Sequence, residues 1–183
     1  MKTMTIKKSG GSKLSPGWKT LTISKAEYSD WEGNVCLDIW FEDLPETCNG
    51  RVYAATSKDS GEEFAIAQVF RFANAGLTSA LTGADGNMVV EFDDTADNLV
   101  GKEINVFMYK DGEYSRILKQ FAPTIFSNEV DNFTEDDVAY WKKRAIKYYN
   151  DYVNKDDHSN GFVASHPAKH KDGMESVTDD LPF

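Results

Sequence analysis

Residues 35–42, Val35-Cys36-Leu37-Asp38-Ile39-Trp40-Phe41-Glu42, decide the fold. Val35, Leu37, Ile39 and Phe41 alternate with Cys36, Asp38, Trp40 and Glu42. A strand turns successive side chains to opposite faces, so this period of two writes a strand with one apolar and one mixed face. Upstream, Ser29-Asp30-Trp31-Glu32-Gly33-Asn34 reads as a loop. Residues 18–28 read as an earlier strand, with Leu21 and Ile23 on one face and Thr20, Thr22 and Ser24 on the other. Downstream, residues 43–50 form a second loop. Residues 51–57 predict a third strand, with Val52, Ala54 and Thr56 inward and Arg51 and Tyr53 outward.

A change of period follows. Ser60-Gly61-Glu62-Glu63 has the form of a capping box, in which Ser and a Glu three residues on satisfy a helix start. Ile66, Val69, Phe70, Ala73 and Leu77 then recur at helical spacing, with Gly76 near the end, so residues 62–75 predict a helix. Val89, Val90 and Phe92 suggest a short extra strand. From Gly101, Ile104, Val106 and Met108 alternate with Phe107 and Tyr109. Lys110-Asp111-Gly112-Glu113 is a hairpin turn, because Asp-Gly tolerates left-handed backbone. Residues 114–120 make the return strand. Thr134-Glu135-Asp136-Asp137 opens a second helix with acids on its positive end, running to about Asn154. Val138, Trp141, Ala145, Ile146, Tyr149 and Val153 mark one side of it; Lys142, Lys143, Arg144 and Lys147 mark the other.

Strand, strand, strand, helix, strand, strand is the order of an OB-fold, a five-stranded barrel with a helix between strands 3 and 4. A generic α+β sandwich fits the same elements. The chain divides into a flexible basic arm (1–17), the β domain (18–134), a C-terminal helix (135–154) and a polar, aperiodic tail expected to be disordered (155–183).

Composition narrows the function. At 183 residues and 40% hydrophobic content, the chain supports one domain with a good core plus a tail. It has no apolar run long enough for a membrane span, and no signal-like start, so a cytoplasmic location is expected. Cys36 and Cys48 fit no metal motif and read as small buried thiols. His158, His166 and His170 all lie in the tail, which leaves the fold no histidine base or zinc site. Phosphate-binding glycine motifs are missing, and no cofactor is expected. Net charge is −10 but uneven: residues 1–26 hold six Lys and no acid, while residues 27–101 hold three basic and fifteen acidic residues. Such a balance opposes tight duplex binding unless a groove concentrates positive charge.

Binding chemistry gathers on the outward face. Trp40, Arg51, Tyr53, Phe107 and Tyr109 point out of the predicted sheet, and Trp18 and Trp31 sit near strand ends. Lys19, Lys58, Lys110 and Arg116 lie close in sequence. A soluble sheet normally keeps its outer face polar. A row of rings gives unpaired bases a place to stack, and flanking cations neutralise phosphates. Trp31 and Tyr114 fall in loops that border the binding face of OB-folds. The same rings also suit a second core under the helix at 135–154. No catalytic residue is expected; Asp93-Asp94 and Asp97 read as a solvated loop rather than a metal site.

The sequence ends Thr178-Asp179-Asp180-Leu181-Pro182-Phe183. Two carboxylates before an apolar point suit capture by another protein, with an apolar pocket for the ring and a basic rim for the acids. This ending resembles the acidic tip of bacterial single-stranded DNA-binding proteins. With the element order and the outward aromatics, the chain resembles phage-encoded proteins of that kind. The resemblance implies a non-catalytic protein that coats single-stranded DNA in replication, recombination or repair. It also implies that Asp179, Asp180, Leu181, Pro182 and Phe183 recruit replication and recombination proteins. The helix at 135–154 departs from the plain bacterial pattern and leaves a homodimer open. Two other readings stand beside it: an adaptor using a borrowed tip without binding DNA, and a metal-dependent nuclease.

Overall fold

The longest strand, β1 (Gly17–Trp31), changes partner halfway along. Residues 23–31 pair antiparallel with β2 (Asn34–Phe41), as in Ala26↔Ile39 and Trp31↔Asn34. Residues 17–22 pair with β6 (Glu103–Asp111), as in Trp18↔Phe107 and Leu21↔Ile104. The register shifts between Ile23 and Lys25, so Ser24 is an extra residue. Such a bulge bends the strand and increases its twist. It also moves the apolar phase: Leu21 and Ile23 are buried before it and Ala26 after it.

This computed structural model describes residues 14–83 and 86–154. The chain order continues with β3 (Gly50–Tyr53), α1 (Ala65–Phe72), β4 (Leu77–Thr82), β5 (Met88–Phe92), a 3-10 turn (Ala96–Leu99), then β6. After it come β7 (Tyr114–Ile117), β8 (Phe126–Ser127), β9 (Asn132–Phe133) and α2 (Glu135–Tyr148), which runs into a π-helical turn at Tyr149–Val153. Five strands form one antiparallel sheet in the order β3-β2-β1-β6-β7. The fold is mainly β, with a short helix after the third strand and a helix at the C-terminal end, as the periodicities predict.

One face of the sheet carries the core. Leu21, Ile23, Leu37, Ile39, Phe41, Ile104, Val106 and Met108 are buried there against Ile66, Val69, Phe70 and Phe72 around α1. Burying each such side chain contributes about 1.5–3 kcal/mol, which fixes which way each strand faces. The sheet also curls. The Cys48 thiol stands 3.5 Å from the Ser115 carbonyl on β7. Gly50 on β3 lies against Phe121, where an added Cβ would come within 2.9 Å of the ring. No pairing joins β3 to β7 among the described residues.

Three expectations are corrected. The third strand ends at Tyr53, and Ala54 and Thr56 are exposed rather than inward, because the chain leaves the sheet to reach α1. The Ser60–Glu63 capping box does not form. Instead the Glu63 carboxylate accepts from the backbone N–H groups of Ala65, Ile66 and Ala67 at 2.8, 2.9 and 3.0 Å, so one side chain caps a helix that starts at Ala65. Leu77 belongs to β4, not to the helix. Gly76 separates them: its φ is +65°, and a Cβ there would stand 2.2 Å from the Asp93 carbonyl oxygen. The β4–β5 hairpin had only its second strand legible in sequence.

The second helix starts as expected. Thr134 and Asp137 form a reciprocal capping box, and Glu135, Asp136 and Asp137 occupy the first turn. Trp141 brings its ring 4.9 Å from Phe72, and Ala145 is buried. Arg71 on α1 holds buried Asp131 through Nε and Nη2 at 2.6 and 3.2 Å, tying the β8–β9 turn to the core. At the other end Leu14 packs on the core, and the Ser115 hydroxyl donates to its carbonyl at 3.1 Å. Residues 1–13 of the arm, the whole tail and its tip lie outside the described residues.

Candidate nucleic-acid interface

The outer face of β1, β2 and β3 is built on a buried carboxylate. Asp38 sits mid-strand in β2, opposite Glu27 and Arg51. Its side chain accepts from Arg51 Nε at 2.6 Å and Nη2 at 2.9 Å, and from the Ser29 hydroxyl at 2.6 Å. Burial pushes the Asp38 carboxyl up; the bonds from Arg51 and Ser29 outweigh it and hold the group below the ordinary carboxylate range. The same bonds raise Arg51 above its ordinary value. Arg51 is thereby fixed in place, with its guanidinium 5.0 Å from the ring of Trp31.

Aromatic and cationic side chains extend from that anchor. Trp31 is 51% exposed at the end of β1, held out by the turn at Glu32 and Gly33, whose φ values of 53° and 81° are both left-handed. Trp40 is half-buried, donates from Nε1 to the Glu46 carbonyl at 3.2 Å, and has Lys25 Nζ 4.4 Å from its ring. Tyr53 on β3 has Lys119 Nζ 4.7 Å from its ring. Across the gap between the sheet's two edge strands, Arg116 stands 5.4 Å from the ring of Tyr114, which is 68% exposed.

The gap itself is a cleft of about 170 Å³. Arg51, Arg116 and Lys119 line it, with Tyr109, Cys48 and Ser115, and no acidic residue does. Two of its cations are paired with acids: Arg51 with Asp38 at 2.6 Å, and Arg116 with Asp111 at 3.4 Å. Burial raises the Cys48 thiol, so this cysteine remains protonated and acts as a small apolar wall. Burial, with Asp111 close by, also raises the Tyr109 hydroxyl, which therefore stays a donor at neutral pH.

The structure thus brings together Trp31, Arg51, Tyr53, Tyr109, Tyr114 and Arg116, and sets Trp40 on the same outer face of β2. It places Trp18 and Phe107 elsewhere. Their rings meet at 5.5 Å, and Tyr149, just beyond α2, lies 5.3 Å from Phe107 and from Tyr109. Lys142 Nζ is 5.4 Å from the Trp18 ring. Trp18 and Phe107 therefore sit under the C-terminal helix, and Tyr109 bridges that covered patch and the cleft. Lys19 donates to the Ser15 hydroxyl at 3.0 Å, and Lys110 to the Ser115 hydroxyl at 2.9 Å. Lys58 is exposed in the loop before α1 and does not line the cleft.

Two cations escape the sequence reading. Lys25 and Lys119 each stand over an outward ring. Both lie inside predicted strands, residues 18–28 and 114–120, but only the tertiary fold brings them to Trp40 and Tyr53. Asp93, a candidate metal acid, has a structural role: its carboxylate accepts from the backbone and hydroxyl of Thr95 at 2.9 and 2.6 Å, shaping the 3-10 turn. No group of three or more His, Cys, Asp or Glu placed to hold a metal occurs among the described residues. No helix among them is long and apolar enough to cross a membrane.

No family model, curated protein or solved structure matches the chain.

Proposed function

We propose that this protein binds single-stranded DNA, without strong sequence preference and without catalysis, along the β3–β7 cleft and the outer face of β1–β3. The carrying observation is the cleft: Arg51, Arg116 and Lys119 converge on it with no acid in its lining. Trp31, Tyr53, Tyr109 and Tyr114 surround it. Rings offer stacking to any base, at roughly 1–3 kcal/mol each, and the cations follow the phosphates. Neither element reads base edges, so the surface tolerates sequence.

The five strands are read as an OB-type barrel open along the β3–β7 seam. Three features support that reading: the order β3-β2-β1-β6-β7, a bent β1 shared between both halves, and a helix after β3. In such barrels the strand 2–3 face and the two flanking hairpin loops carry oligonucleotides. Here Trp31 and Tyr114, expected in those loops, are instead the last residue of β1 and the first of β7, beside the two turns. Asp179, Asp180, Leu181, Pro182 and Phe183 are read as the recruitment tip for replication and recombination proteins, in a phage protein acting in the host cytoplasm.

Titration with oligo-dT tests the reading. Tryptophan fluorescence should quench, and affinity should fall steeply with salt. Absence of quenching, or equal affinity for duplex, would overturn it. The adaptor alternative draws on the net charge of −10 and predicts that negative outcome.

A further inference from the structure

A second cavity, of about 90 Å³, opens between β3, α1 and α2. Val52, Phe72 and Trp141 give it apolar walls, and Gln68 on α1 and Gln120 beyond β7 complete the lining that matters here. Both glutamines are half-buried, and neither carboxamide is hydrogen-bonded to another described residue. Among the described residues, Lys119 and Arg144 are the charged groups of the lining, and both are positive. Arg144 lies 5.3 Å from the Trp141 ring, which steadies it. Lys119 also lines the β3–β7 cleft, so one cation stands between the two spaces and joins them.

Resting on the single-stranded DNA reading above, we propose that this cavity is a nucleobase subsite: a strand bound in the cleft passes Lys119 and turns one pyrimidine base into it. The volume is well below the roughly 300 Å³ at which drug-sized pockets begin, so it takes a single ring and not the double ring of a purine. The edge of a pyrimidine needs donors and acceptors together. Thymine presents an N–H between two carbonyl oxygens; cytosine presents an amino group beside two acceptors. A carboxamide supplies an oxygen acceptor and an NH₂ donor, and turning it over exchanges them. Gln68 and Gln120 therefore serve either pyrimidine, while Val52, Phe72 and Trp141 take the ring out of water. The phosphates on either side of that base lie at the rim, where Lys119 and Arg144 neutralise them. Turning a base out costs least when it is already unpaired, so the subsite adds to the preference for single strands. Most of the track tolerates any base, and this one position selects by ring size.

The test irradiates the full chain bound to oligo-dT in which scattered thymines are replaced by the photoreactive base 5-iodouracil, and maps the cross-links by mass spectrometry. Cross-links should form at Trp141 as well as at cleft rings such as Tyr53 and Tyr114. Cross-links confined to the cleft rings would overturn the subsite and leave the cleft assignment standing; no binding of the oligonucleotide would overturn both. Gln68→Leu and Gln120→Leu keep the volume and remove the polar edge. Each should weaken oligo-dT by about fivefold or more, the scale of one lost base-edge pairing, and leave both Tm and the affinity for oligo-dA unchanged. Equal losses for oligo-dT and oligo-dA, or no loss for oligo-dT, would overturn the subsite. Cross-linking needs no substitution, so it decides the matter even if a variant folds poorly.

Discussion

Arg51 grips Asp38 with two parallel bonds, from Nε at 2.6 Å and from Nη2 at 2.9 Å, across the β2–β3 pair. Asp38 is buried, while the Arg51 side chain remains 30% exposed. One residue therefore locks two strands and presents its remaining surface to the cleft. Stability and binding meet in that pair and can be separated by choosing which partner to change.

Asp38→Ala leaves a partly buried guanidinium without its acceptor. Because Arg51 still reaches water, the loss should fall below the range for fully buried pairs, at about 2–3 kcal/mol. A lower urea midpoint with an unchanged slope would show it. An unchanged midpoint would mean that the pair contributes nothing net.

The same carboxylate sets a limit at acid pH. Its folded value lies below the ordinary one, so its contribution is fully present above the unfolded value of about 3.9. Stability should fall as pH drops below that value toward the folded one. Asp38→Asn should flatten that part of the stability–pH curve; equal slopes in both proteins would assign the acid transition elsewhere.

Rings in the open and rings under α2 should behave differently. Trp31→Ala and Tyr114→Ala, at exposed positions, should each weaken oligo-dT binding by about 1–3 kcal/mol and leave Tm nearly unchanged. Trp18→Ala should lower Tm instead, because it removes the contact with Phe107. The reverse pattern would place the strand on the helix side.

Lys119→Ala should lower the slope of log affinity against log salt by about one unit, as expected for the loss of one phosphate contact. The slope is the useful measurement, since it reports a phosphate contact and is insensitive to stacking. No change in slope would remove Lys119 from the strand's path.

Gly76→Ala should destabilise by more than 1 kcal/mol. The position needs left-handed backbone and has the Asp93 carbonyl where the methyl would go. Near-native Tm for this variant would mean that the α1–β4 junction relaxes freely.

Legibility in the sequence followed locality. Leu37, Ile39, Phe41, Ile104, Val106 and Met108 are buried as their alternation predicts, but Val35 is exposed, and Cys36 and Asp38 on the opposite face are buried because β3 and the Arg51 guanidinium cover them. Residues 51–57 misled because alternation continues past Tyr53, while the hydrogen bonds that define a strand do not. Ser24 broke the phase of β1 through one unpaired residue, which composition does not announce. Of the residues expected to face outward, Trp40, Arg51 and Tyr53 are half-buried on the outer face, and Tyr109 lines the cleft. Trp18 and Phe107 carry the same local signal but meet Tyr149 and Lys142, more than 30 residues later in the chain. Only tertiary packing separates those two groups.

The divided partnership of β1 has a kinetic consequence. Its second half finds β2 across a two-residue turn and closes within microseconds, as hairpins do. Its first half must wait for β6, about eighty residues downstream, and such distant pairings make folding slow. On the ribosome, the apolar side of the β1–β2 hairpin is made well before Ile104, Val106 and Met108 exist to cover it. At the usual pace of synthesis that interval lasts several seconds. The nascent chain is then most prone to aggregate, and a chaperone would bind it most readily.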